Sequence, residues 1–160
     1  MIGPEARAAH ALRGIDPCMD RIFGAYLGSR LVGMVRVKQM AEGYTVDRVS
    51  MVEECRRGRL ARCMLEYLIT GLGDRLLWIA AGRELVMLCW TMGFRPVAER
   101  TLPPAINKLL GCPHSMEICG LVPMVRMPDE NGGSVARRRP PADPPGPPSG
   151  HFLVRRVYLD

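Results

Sequence analysis

Val52-Glu53-Glu54-Cys55-Arg56-Arg57-Gly58-Arg59-Leu60-Ala61-Arg62 is the stretch on which the fold turns. Before it, Tyr44 to Val52 read as a strand: Val46, Arg48, Ser50 and Val52 share one side, and Thr45, Asp47, Val49 and Met51 the other. After it, Leu60, Ala61, Met64, Leu65, Leu68 and Leu72 recur at three- and four-residue spacing. That is the pattern of a helix with one apolar face, and Gly71 and Gly73 stop it. An arginine-rich turn with a glycine, opening a helix directly after a strand, presents unpaired backbone N–H groups and a positive dipole end. Such a turn is suited to phosphate; the plainer reading is a solvated basic turn that merely begins a helix.

Working outward, Ile22 to Leu27 and Leu31 to Gln39 flank Gly28-Ser29-Arg30, which reads as a β-hairpin. Downstream, Leu76-Leu77-Trp78-Ile79-Ala80-Ala81 is a short continuous apolar run, as in a strand covered on both faces. A second helix is expected from about Arg83 to Met92, ended by Gly93, and another strand from Phe94 to Arg100. The order is hairpin, strand, helix, strand, helix, strand, with a βαβ crossover whose strand ends and helix start make a ligand cleft.

From Pro128 to Gly150 the chain loses its apolar residues and becomes rich in proline and arginine, including Arg137-Arg138-Arg139. It reads as a flexible loop. Phe152 to Leu159 is strand-like again. Met116 to Met127 is a second candidate for the last strand, but Pro123 argues there for an edge or a break. The expected organisation is therefore an N-terminal segment 1–20, a domain over 21–127, a loop over 128–150, and a closing strand of the same domain over 151–160. With 152–159 as the closing strand, Thr101 to Gly150 becomes an insertion beside the site.

At 160 residues and 48% hydrophobic composition, the chain is long and apolar enough for one domain with a real core, which excludes wholesale disorder. Its formal charge of +6 is carried almost wholly by arginine, with only Lys38 and Lys108 as lysines. Such a charge attracts anions, but without aromatic interleaving or a groove-reading helix it does not point to nucleic acid. No apolar run approaches the roughly 18 residues of a membrane span, and Met1 to Asp20 holds no apolar core of a secretory signal. An intracellular, cytoplasmic protein is expected. The six cysteines lack a disulfide-framework spacing and read as reduced thiols. Cys112, His114 and Cys119 fall short of a zinc site, so no metal is expected.

The central stretch resembles the GNAT superfamily of acyl-CoA-dependent N-acetyltransferases. Its signature, Arg/Gln-x-x-Gly-x-Gly/Ala, opens that family's central helix and holds the coenzyme A pyrophosphate. Here Arg56 takes the first slot and Ala61 the last, while Arg59 stands where glycine is usual and Gly58 sits one residue early. Leu88-Cys89-Trp90-Thr91-Met92-Gly93-Phe94 is similar to the family's Tyr-x-x-x-Gly-Phe, with Cys89 in the tyrosine slot. The resemblance covers about residues 25–100 and implies an α/β fold: a GNAT-like mixed, mostly antiparallel central sheet with a βαβ cofactor-binding core.

The resemblance also implies an activity, acetyl transfer from acetyl-CoA to an amine, borne by a small molecule or by a protein lysine or N-terminus. The chemistry needs a deprotonated amine, a polarised thioester carbonyl and a proton for the leaving thiolate. The resemblance places the coenzyme on Met51, Val52, Arg56, Arg57, Gly58, Arg59, Leu60 and Ala61, with a backbone N–H near Met51 or Val52 on the carbonyl. Cys89 stands where the family's acid stands, its structural alternative being a small buried helix residue. Glu53, Glu54 and Asp47 are the nearby carboxylates for a base, the first two alternatively balancing Arg56 and Arg57. Family members carry a strand and two helices before the hairpin, and only some twenty residues precede Ile22 here. A second copy or a partner protein is therefore a candidate to complete the acceptor site. The rival reading is a catalytically degenerate acyl-CoA-binding or protein-interaction module.

Overall fold

A computed structural model describes residues 20–56, 59–72, 75–110, 115–128 and 152–157. The hairpin forms first in the chain: β1 (Asp20–Leu27) and β2 (Arg30–Met40) pair antiparallel across Gly28, whose φ of 61° suits a residue without a Cβ. β3 (Gly43–Met51) adds antiparallel to β2. A helical turn at Glu53–Cys55 leads to α1 (Leu60–Leu72), and β4 (Leu77–Gly82) then returns parallel to β3, completing the βαβ crossover. α2 (Arg83–Thr91), β5 (Arg95–Pro96), α3 (Pro104–Leu110), β6 (Leu121–Arg126) and β7 (Phe152–Val157) follow.

The strands form one seven-stranded sheet in the order β5-β6-β4-β3-β2-β1-β7, in which only β3 and β4 run parallel. This is the mixed, mostly antiparallel α/β architecture expected. α1 buries Leu60, Ala61, Met64, Leu65, Leu68 and Leu72, the stripe read from its spacing. It packs with Cys89 of α2 over Val35, Val37, Val46 and Ile79 on one face of the sheet. The opposite face carries Trp78 and Val125 under Leu102, Ile106 and Met116.

Three expectations change, and one helix is new. The expected strand at Phe94 to Arg100 shrinks to Arg95–Pro96, because Pro123, opposite Val97, has no N–H to return the bond its carbonyl accepts and a helical turn begins at Glu99. α3, which covers the Trp78 face, had no clear signal in its seven residues. The two rival last strands both join the sheet, at opposite ends. β6 takes the place beside β4, and β7 lies beyond β1 at the far edge. Pro123 is compatible with this position: its carbonyl accepts from Val97 N at 3.0 Å, so its nitrogen faces outward too and the ladder to β4 loses nothing. Finally, Cys55, Cys63 and Cys89 are reduced, as expected, but Cys119 is disulfide-bonded to a partner outside the described residues. Spacing along the chain does not reveal which sulfurs the fold brings together. The loop over 129–150 and the N-terminal segment 1–19 lie outside the described residues.

Candidate functional site

β3 and β4 are paired only at Tyr44↔Leu77, Thr45↔Trp78 and Val46↔Ile79. Past those positions β3 continues through Asp47–Met51 and β4 through Ala80–Gly82 with no ladder between them. The strands part, and a gap opens at their C-terminal ends, where α1 and α2 begin. A β-bulge marks the parting: Val46 pairs with Val37 and Arg48 with Arg36, leaving Asp47 as the extra residue. The plain alternation expected along this strand is broken there, and both Val46 and Val49 face the helices.

The bulge also decides which backbone groups face the gap. Val52 N–H donates to Val32 O at 2.9 Å, so it is bound to β2 and not free to polarise a carbonyl. Successive N–H groups of an extended strand point to opposite edges, so the Met51 N–H is directed to the gap side. Val35, Val49 and Ile79 meet Ala61, Met64 and Leu85 around a narrow apolar slot at the gap's root, about 10 Å³ in volume.

At the mouth, Arg59 O accepts from Cys63 N at 2.9 Å, closing the first turn of α1. The N–H groups of Leu60, Ala61 and Arg62 therefore have no partner within the helix and point out of its end. Arg59 is exposed and makes no ion pair among the described residues, whereas Arg56 is tied to Glu53 at 3.1 Å. Arg57 and Gly58 lie outside the described residues.

The expected catalytic groups sit differently. Glu53 and Glu54 are 75% and 71% exposed in their side chains and pair with Arg56 and Arg30, as surface carboxylates balancing arginines do. Asp47 is nearly buried and ion-paired with Arg36 across the bulge. Cys89 is fully buried in the helix-side core, and burial pushes its thiol up to about 11, against a smaller downward pull from a backbone hydrogen bond. It touches no solvent in this structure, because α2 turns it inward against the sheet. One carboxylate that the sequence did not single out stands at the end of β4, the other strand that borders the gap. Glu84, in the first turn of α2, sets its Oε2 and Oε1 within 3.2 and 3.3 Å of where a Cβ on Gly82 would stand. On the same side a cleft of about 310 Å³ opens between Arg83, Glu99, Glu117 and the start of β6.

No protein-family model matches the chain, and no curated protein does. Solved structures do. ElaA of Escherichia coli is 19% identical over 67% of this chain and 68% of that one, with a TM-score of 0.46. The PaiA N-acetyltransferase of Thermoplasma acidophilum, solved with coenzyme A, is 14% identical over 77% and 70%, with a TM-score of 0.48. The N-acetylglutamate synthase of Neisseria gonorrhoeae, solved with coenzyme A and L-arginine, is 18% identical over 62% of this chain and 22% of that one, at a TM-score of 0.43. Among the described residues no helix is long and apolar enough to cross a membrane, and no cluster of His, Cys, Asp and Glu could hold a metal ion.

Proposed function

We propose that this chain binds acetyl-CoA and transfers its acetyl group to an amine. The observation that carries the reading is the parting of β3 from β4 directly in front of the open N-terminus of α1. The N–H groups of Leu60 and Ala61, with the Arg59 guanidinium, would hold the pyrophosphate. The pantetheine arm would enter between the strands, completing with its amides the hydrogen bonding that the separated edges lack. There the Met51 N–H would polarise the thioester carbonyl as negative charge develops on it.

Arg59 stands at the glycine position of the family pattern, with the residue exposed. We expect Arg59→Gly to weaken acetyl-CoA binding roughly tenfold, the worth of a charge-assisted phosphate contact. Tighter binding would mean that Arg59 obstructs the turn. The decisive experiment is calorimetric titration with acetyl-CoA, using pantetheine lacking phosphate as control. Micromolar binding that is lost in the control supports the reading, and absence of binding overturns it.

The burial of Cys89 favours a second reading, an acyl-CoA-binding module without turnover. At its raised pKa the thiol keeps its proton through the neutral range, as an acid must, but only a thiolate brought into the core would reach it. Coenzyme binding with no acetyl transfer to any primary amine would select the module. If transfer occurs, an unchanged rate in Cys89→Ala assigns that residue to packing.

A further inference from the structure

We propose that Glu84 takes the proton from the acceptor amine, approaching the gap from the face of the sheet opposite α1. The proposal rests on the acetyl-transfer reading and adds the residue and the side of attack. Side chains alternate along β4. Leu77, Ile79 and Ala81 belong to the helix-side core, and Trp78 to the opposite one, so the bare face of Gly82 shares the side of Trp78. Glu84 reaches back over that face, and its carboxylate fills the space a side chain at residue 82 would take. Gly82 lies three residues beyond the last β3–β4 pair, roughly 10 Å along the strand, where no ladder joins the two strands.

The other carboxylates around the gap are occupied. Asp47 is paired with Arg36, Glu53 with Arg56 and Glu54 with Arg30. Glu84 makes no hydrogen bond or ion pair among the described residues. The 310 Å³ cleft adjoins it: Arg83 precedes Glu84 in the chain, and Leu121, also on the cleft wall, is the ladder partner of Gly82.

The step balances simply. One proton passes from the ammonium to the Glu84 carboxylate and on to solvent, and the nitrogen lone pair then forms the C–N bond. The second proton leaves nitrogen as the tetrahedral adduct collapses, the C–S bond breaks, and that proton ends on the coenzyme sulfur.

The test compares two nucleophiles, n-butylamine, which is protonated at neutral pH, and hydroxylamine, which is not. In Glu84→Gln, acetyl transfer to n-butylamine is expected to fall roughly 100-fold in kcat, the usual worth of a general base. Transfer to hydroxylamine should stay within threefold, acetyl-CoA binding should be unchanged, and Glu84→Asp should recover part of the loss. Unaltered transfer to n-butylamine overturns the proposal, as does an equal loss with both nucleophiles while coenzyme binding persists. A wild type that binds no acetyl-CoA, or binds it and acetylates neither nucleophile, overturns the acetyl-transfer reading and the base with it.

Discussion

Gly43 shows how much one residue contributes here. Its φ is 128°, and a Cβ on it would run into the Leu76 carbonyl, the same oxygen that accepts the Tyr44 N–H at 2.8 Å to begin the parallel pairing. Gly43→Ala is expected to cost about 3 kcal/mol in urea unfolding, from strain and overlap together. Cys89 gives a pH dependence instead. Below its ordinary pKa of 9.0 the thiol is protonated whether the chain is folded or not; above it the unfolded chain sheds the proton while the folded one holds it to about pH 11. Stability should therefore fall between pH 9 and 11 by up to about 1.4 kcal/mol per unit, and Cys89→Ala should flatten that slope in urea midpoints. Residue by residue, the sequence marked Leu60 and Ala61 by their place where a turn opens a helix, and Met51 through the family resemblance. It did not mark Glu84, whose position depends on a glycine two residues earlier lacking a side chain.

At the scale of elements, amphipathic spacing made α1 and the hairpin legible, since each has a strong period and a clear turn. The bulge in β3 was not, although Val46 and Val49, three apart where an even strand would have two, are its trace. The buried Arg36–Asp47 pair sits on that bulge, its side chains 10% and 11% exposed. Arg36→Met is expected to cost about 3 kcal/mol, because it leaves the Asp47 carboxylate buried without its partner, and Arg36→Met with Asp47→Leu should recover most of the loss. A double-mutant cycle in urea measures both, and additive losses would show that the pair does not couple. The short elements, β5 and α3, were poorly legible because two and seven residues carry too little pattern to set a period.

At the scale of the molecule, the mixed sheet could be anticipated from the βαβ crossover and the hairpin, but the placement of β7 could not, because pairing between distant strands leaves no local signature. β7 covers the outer edge of β1 from Ile22↔Val157 to Leu27↔Phe152, and Val154 and Phe152 pack toward the Ala25 and Leu60 cluster. Deleting residues 152–157 should lower the urea midpoint and expose the β1 edge, shifting the protein toward aggregates in size-exclusion chromatography. An unchanged midpoint would show that the strand adds no stability. The same ladder joins the first described strand to the last, so nearly the whole chain must be looped before it closes, and closure entropy has to be met before any of its contacts forms. During synthesis the hairpin and the crossover are free to assemble while the β1 edge stays bare until residue 157 has left the ribosome. A nascent chain stalled before that point is the form in which a chaperone would have the most to shield.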